Sequence, residues 1–343
     1  MQLPDYDFEL PHELIAQKPL ADRAASRMLV VDRGREVFLD AGFAGLSKRL
    51  LPSDLLVVNN TRVFPARLLG TSDTGARVEV FLVEEIEPLV WVVLAKPGRR
   101  LKPGKRVDLD GRLYAEVLEK REDGRLVVRF AGGARFETVI DEIGRTPLPP
   151  YIHRDHARPD SDRERYQTVF ASRRGAIAAP TAGLHFSDRT FDEMAERGVE
   201  TAEITLHVGY GTFEPVRAAN LGDHRVAPER FEIGEEAAAK LEKARREKRR
   251  IVAVGTTTTR TLEYMMERQG HFTRANGTAG LTIVPGHDFK AVGALLTNFH
   301  LPQSSLLILV ATFGGHKLIM EAYRHAVAAG YRFYSYGDCM LIE

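Results

Sequence analysis

The stretch Ser53-Asp54-Leu55-Leu56-Val57-Val58-Asn59-Asn60-Thr61-Arg62-Val63-Phe64-Pro65-Ala66-Arg67-Leu68, SDLLVVNNTRVFPARL, decides how the rest of the chain is read. Leu55 to Val58 form a short apolar run of strand length, which ends in the polar turn Asn59, Asn60, Thr61 and Arg62. Beyond it the texture changes. From Arg67 to Phe136 the chain repeats short alternating runs, RLLGT, ARVEVFLVEE, LVWVVLAKP, KRVDLD, LYAEVLEK and RLVVRFAG. Turn residues separate them, among them the tight-turn pairs Asp110-Gly111 and Asp123-Gly124. About six such strands predict a small closed antiparallel barrel. The segment closes in the proline-rich RTPLPPYIHR (Arg145 to Arg154), a return crossing.

Outside this segment strands, polar loops and helices alternate. Gly175 to Ala179 (GAIAA) reads as a strand, followed by a helix in SDRTFDEMAERG with Ser187 as N-cap, Phe191 and Met194 as apolar face and Gly198 as terminator. RRIVAVGTTTTRTLEYMME predicts a strand over Ile251–Val254, a Gly-Thr loop, and a helix from Thr261. AVGALLTNFHLPQSSLLILVATFGG places a strand end at Leu295 and a helix start near Gln303, and ETAEITLHVGYGTFEPV a strand ending near His207. YRFYSYG (Tyr331 to Gly337) alternates aromatics and reads as a strand rather than a nucleobase platform. The expected fold is therefore a layered α/β domain interrupted by an inserted antiparallel β-barrel of about six strands. The division is 1–62, barrel 63–150, and 151–343, the last part carrying most of the active site.

A chain of 343 residues with 44% hydrophobic and 28% charged residues suits a two-domain globular protein, and no long uncharged apolar run offers a membrane span. The start, MQLPDYDFELPHELIAQKPL, lacks a signal peptide's basic start and apolar core. The single cysteine, Cys339, excludes an internal disulfide or a cysteine-rich zinc site and is expected to be packed. A cytoplasmic location follows as the expectation. The net charge of +1 makes any nucleic-acid binding local. Of two basic clusters, Lys96 to Arg106 and Arg245 to Arg250, the second closes a helix whose acids come first, so a solvated helix end is expected there rather than RNA contact.

Five strand ends are polar: NNTR, PTAGLH, HVGYGTF, GTTTTR and TNFHLP. In an open α/β sheet ligands bind at the carboxyl ends of the strands, and these loops offer hydroxyls, amides and glycines suited to a polar heteroaromatic or sugar ligand. Three of them carry His185, His207 and His300. A three-histidine zinc site, hence a metal-dependent hydrolase, is one expectation, although no compact ligand spacing supports it. Structural hydrogen bonding and acid–base or substrate contact are the others. GTTTTR lacks the lysine of a P-loop, HVGYGTF lacks a third glycine for a dinucleotide fingerprint, and no G-x-S-x-G elbow occurs. Ser304 and Ser305 are expected to begin a helix.

Taken together, these stretches make the chain resemble the S-adenosylmethionine:tRNA ribosyltransferase-isomerase family of queuosine biosynthesis over nearly its whole length. The resemblance rests on DYDFELPHELIAQKPLADRAASR, LPSDLLVVNNTRVFPARL, PLPPYIHR, RYQTVFA, GAIAAPTAGLHFS, LHVGYGTFEPV, LLTNFHLPQSSLL and YRFYSYGDCMLI. Two segments depart from the family pattern: Val226-Ala227 stand where a Met-His pair is common, and GTTTTR replaces GTTSVR. The resemblance implies transfer and isomerisation of the ribosyl part of S-adenosylmethionine onto 7-aminomethyl-7-deazaguanine at the wobble position of a tRNA with a GUN anticodon. Epoxyqueuosine-tRNA forms, adenine and methionine leave, and S-adenosylmethionine is a consumed substrate, with no cofactor or metal and a monomer expected. On this basis His185 and His300 are the catalytic candidates, with Thr181 and Gly183 shaping the same pocket. His207, Gly209, Gly211 and Thr212 are expected to approach the nucleoside, Thr297 and Asn298 the sugar. Thr256, Thr257 and Arg260 are expected to meet the methionine carboxylate, Asn59, Asn60, Thr61 and Arg62 the modified base, and Arg27 and Arg154 RNA phosphate.

Overall fold

The computed structural model describes all residues except 133, 134, 156–159, 214, 215, 217 and 219, and of residues 212 and 213 only the backbone. In chain order, β1 (Arg27–Asp32), β2 (Val37–Gly42) and β3 (Leu55–Asn59) lead through the short β4 (Thr61–Val63) into six strands: β5 (Arg67–Ser72), β6 (Arg77–Glu87), β7 (Val90–Lys96), β8 (Arg106–Leu109), β9 (Leu113–Lys120) and β10 (Leu126–Ala131). These six close into an antiparallel barrel in the order β10-β7-β6-β5-β8-β9. Its core is built from alternate positions such as Val78, Val80 and Leu82 or Leu113, Ala115 and Val117, the inward half of each strand's period of two. Helix α1 (Phe136–Ile143) adds Val139 and Ile140 to this core. Gly70 on β5 is required by close approach, since a Cβ there would lie 2.3 Å from the Asp108 carbonyl oxygen.

After the barrel come β11 (Arg173–Ala176), α2 (Asp188–Glu196), β12 (Glu200–Leu206), β13 (Glu229–Ile233), α3 (Glu235–Arg246), β14 (Ile251–Val254), α4 (Thr256–Gln269), β15 (Ala275–Ala279), β16 (Ala294–Asn298), α5 (Ser305–Gly314), α6 (His316–Ala328) and β17 (Cys339–Ile342). The large sheet runs β15-β13-β12-β3-β14-β16-β17-β1-β2. Its centre, β12-β3-β14-β16, is parallel, and β17 returns antiparallel to β16. Every residue of β3 is buried. Leu55 and Val57 enter the core beneath α3 to α6, while Leu56 and Val58 enter the opposite core with α2, so the sheet is covered on both faces. Among the described residues no single helix is long and apolar enough to cross a membrane.

Three local expectations change. The strand read at Gly175–Ala179 is β11, Arg173–Ala176, and it pairs only with β4 outside the large sheet. GTTTTR is the first turn of α4 rather than a loop, because Gly255, at φ 92°, makes the sharp turn from β14 directly into the helix. YRFYSYG is irregular chain ahead of β17, with Tyr334 at φ 73° and Gly337 pressed within 2.4 Å of the Arg332 carbonyl oxygen by its notional Cβ. Ser187 does cap α2, accepting from the Thr190 N–H, and Cys339 is fully buried. Of the terminal basic cluster, Arg249 and Arg250 turn inward to Glu200 and to the fully buried Asp54.

Candidate active site

Parallel pairing places the carboxyl ends of β12, β3, β14 and β16 at one edge of the sheet, and the antiparallel β17 brings the preceding residues 334–338 to that same edge. The chain crosses from β3 to β12 on one side and to β14 on the other, which is the switch-point topology that opens a crevice. A cleft of about 580 Å³ including its mouth lies there, with a free interior of only about 50 Å³. Of the expected site residues, Thr181, Thr256, Thr257, Thr297, Asn298 and His300 line it. Tyr151, Tyr166, Phe299, Tyr334 and Ser335 complete the wall, and among the described residues no Asp, Glu, Lys or Arg contributes to it. These aromatic residues are not among the sequence candidates, although Tyr151, Tyr166 and Tyr334 sit in the words PLPPYIHR, RYQTVFA and YRFYSYG and Phe299 in LLTNFHLPQSSLL.

His300 is the imidazole of this chamber. Its Nε2 shares a 2.9 Å hydrogen bond with Thr297 Oγ1, its backbone N–H donates to the Tyr323 hydroxyl oxygen at 3.1 Å, and no protein group among the described residues bonds Nδ1. Burial holds its pKa down at about 3, so the ring is neutral at physiological pH, and the same desolvation makes it a weaker base than an exposed imidazole. His185 stands behind the wall. Asn298 Nδ2 donates to the Tyr334 carbonyl at 2.9 Å, which turns Oδ1 toward His185 Nε2 at 3.3 Å. Nε2 therefore carries the proton, and Nδ1 accepts from the Ser26 hydroxyl at 2.8 Å. With both nitrogens engaged and its pKa lowered to about 4, first by burial, His185 positions Asn298 rather than meeting a ligand.

Both folded-state values lie below the ordinary 6.5. The stability these rings contribute is thus fully present above pH 6.5 and is lost as the pH falls from there toward about 4 and about 3, because the unfolded chain takes up the protons first. A melting-temperature series between pH 6.5 and 5 is expected to decline, with a shallower slope in His300→Gln; a flat series would mean that the folded protein does not hold these rings neutral.

The remaining candidates lie elsewhere. His207 bonds Thr61 Oγ1 at 2.8 Å, and its ring packs so closely on Gly175 that a Cβ there would be 2.6 Å from Cε1. Burial and then Arg230 lower its pKa. Asn59 Oδ1 accepts from the N–H groups of Thr61 and Leu206, while its Nδ2 donates to the Leu206 carbonyl. Asn60 is held by Glu203 and Thr205. These two side chains splice β3 to β12 instead of facing a base, a job set by the end of a buried sheet with backbone groups to satisfy. Arg62 is exposed on β4. Gly183 is packing: a Cβ would lie 2.7 Å from the Phe170 ring.

Arg260 corrects an expectation. It is buried against Glu229 at 3.0 Å and also donates to the carbonyls of Leu281 and Ala279, so its carboxylate partner is the protein's own. Glu229 in turn accepts from the Gly209 N–H at 3.0 Å, and Gly211 lines a small separate recess beside this pair. The side chain of Thr212 lies outside the described residues. Arg154 grips Asp162 with two bonds, 2.6 and 3.0 Å, and Arg27 lies 3.6 Å over the Tyr331 ring beside Asp40. Both are structural contacts. His185, His207 and His300 do not converge, and no group of three His, Cys, Asp or Glu side chains among the described residues does, so the arrangement gives the three-histidine hydrolase no ligand set.

Full-length likenesses accompany this geometry. The S-adenosylmethionine:tRNA ribosyltransferase-isomerase of Syntrophotalea carbinolica is 50% identical and that of Heliobacterium modesticaldum 47%, each with all of both chains covered. The crystal structure of S-adenosylmethionine tRNA ribosyltransferase from Thermotoga maritima is 36% identical, with a TM-score of 0.57 over 99% of this chain and 100% of that one. The family model described as "Queuosine biosynthesis protein" matches residues 3–342. With the barrel, the mixed sheet and the strand-end chamber all inside that match, the chain belongs to the queuosine biosynthesis protein family.

Proposed function

We propose that the protein is an S-adenosylmethionine:tRNA ribosyltransferase-isomerase. It transfers the ribosyl part of S-adenosylmethionine to 7-aminomethyl-7-deazaguanine in tRNA and isomerises it, giving epoxyqueuosine-tRNA, adenine and methionine. The observation that carries this reading is a full-length family match whose strand-end chamber holds one neutral imidazole, His300, among hydroxyls and an amide. A sulfonium acidifies the neighbouring C–H, and His300, neutral at physiological pH, is the imidazole in the chamber available to take that proton. S-adenosylmethionine is the consumed substrate and supplies the electron sink, so the reading requires no separate cofactor.

Within this reading His300 accepts the proton, Thr297 and Asn298 orient the sugar, and His185 fixes Asn298. Thr256 and Thr257 receive the methionine carboxylate at the amide end of α4, where the helix dipole takes the place of a cation. The free interior is too small for a nucleoside, so admission moves part of the aromatic wall. The tRNA with its GUN anticodon docks from the side of the larger polar cleft between barrel and sheet, lined by Lys18, Arg67, Lys96 and Arg145 among others. We further propose a cytoplasmic monomer with the barrel inserted at 63–150.

Incubation with S-adenosylmethionine and a tRNA carrying the aminomethyl-deazaguanine base is expected to release adenine and to raise the mass of the modified nucleoside. Absence of both changes would reject this function.

A further inference from the structure

Tyr166 is fully buried, yet among the described residues no group meets its hydroxyl in hydrogen-bond geometry. Ser335 and the Ala179 backbone are the polar groups nearest it, and Ser335 bonds the Tyr151 hydroxyl. A sealed, unpartnered hydroxyl lowers stability relative to phenylalanine at the same site. The ring itself is firmly held. Tyr336 packs edge-on against it and donates to Asp162 Oδ1 at 2.7 Å, and Arg154 pins that carboxylate. The Tyr166 N–H donates to the Asp162 carbonyl at 2.7 Å. A rigid mount thus carries an unmated polar atom on the wall of the chamber that contains His300.

The character of the chamber selects the mate. Besides His300 and the tyrosines, its polar lining is Thr181, Thr256, Thr257, Thr297, Ser335 and Asn298, with no carboxylate, ammonium or guanidinium among the described residues. Hydroxyl and amide groups both donate and accept, which suits the vicinal hydroxyls of a sugar, while a full charge finds no countercharge away from the end of α4.

We propose that Tyr166 is a ligand-contacting residue whose hydroxyl bonds a ribose hydroxyl of the bound adenosyl group, an assignment that rests on the ribosyl-transfer reading above. Calorimetric binding of S-adenosylmethionine and of 5′-methylthioadenosine, which keeps the sugar and lacks the amino-acid end, tests it on wild type and Tyr166→Phe. The variant is expected to melt no lower than wild type without ligand and to bind both nucleosides about 3- to 10-fold more weakly, the effect of one hydrogen bond.

Equal binding by wild type and variant overturns the proposal, and so does a lower melting temperature of the free variant, which would make the hydroxyl structural. Weaker binding of S-adenosylmethionine alone moves the contact to the amino-acid end and overturns the sugar assignment. A wild type that binds neither nucleoside brings down the ribosyl-transfer reading and this assignment together, whereas a wild type that binds both while the variant matches it brings down this assignment only.

Discussion

His300→Gln is expected to lower kcat by about 10²- to 10⁴-fold, the usual contribution of a positioned general base, while the protein folds as before. Glutamine approximates the volume and keeps a polar group toward Thr297, but it has no nitrogen lone pair to take a proton. Among the described residues the chamber contains no other imidazole and no carboxylate to replace it. Binding of S-adenosylmethionine is expected to change little, so the loss falls on kcat rather than KM. His185→Gln, acting only through Asn298, is expected to cost far less. Single-turnover adenine release measured on both variants decides the matter. A His300→Gln enzyme with more than half of wild-type turnover would remove His300 from the chemistry, and a larger loss in His185→Gln would reverse the two roles.

Arg260→Met is expected to destabilise the fold by about 3–5 kcal/mol, the cost of leaving one partner of a buried ion pair uncompensated. Arg260 and Glu229 are nearly inaccessible, 6% and 5% exposed at their side chains, and the pair joins α4 to β13 and to the Gly209 backbone. Replacing both, in Arg260→Met with Glu229→Leu, removes the orphaned charge and is expected to recover much of the loss, since buried pairs exchanged for apolar groups are often neutral. Urea unfolding of wild type and these two variants reads this directly. If Arg260→Met unfolds at the wild-type urea concentration but raises KM for S-adenosylmethionine, the arginine serves the ligand after all.

Much of the architecture was legible along the chain because it follows from local patterns. The barrel announces itself through period-two alternation broken by Asp110-Gly111 and Asp123-Gly124, which are turns in the structure. The helix cap at Ser187 and the strand at Leu55–Asn59 are equally local. GTTTTR was misread because threonines have weak helix propensity. In the fold Thr258, Thr259 and Thr261 each donate to the carbonyl four residues back, and packing holds the helix from its first turn. YRFYSYG misled in the same way: alternating aromatics suggest a strand, but the carbonyl of Tyr334 is needed by Asn298 and that of Arg332 by Asp338, so the chain turns.

The candidate site divides along a physical line. Residue types and their order along the chain single out the polar strand ends as candidates, because they place Asn, Thr, Gly and His where buried strands end. They say nothing of which polar groups already satisfy one another. Asn59, Asn60 and Arg260 look like ligand contacts in one dimension and are consumed by Leu206, Glu203 and Glu229 in three. Tyr166 looks like ordinary core and retains an unspent hydroxyl. Hydrogen-bond and charge pairing link positions far apart in the chain, such as His185 with Asn298 or Arg154 with Tyr336 through Asp162. Folding therefore fixes which imidazole nitrogen is left without a partner among the described residues, because that depends on what each group is bonded to rather than on what it is.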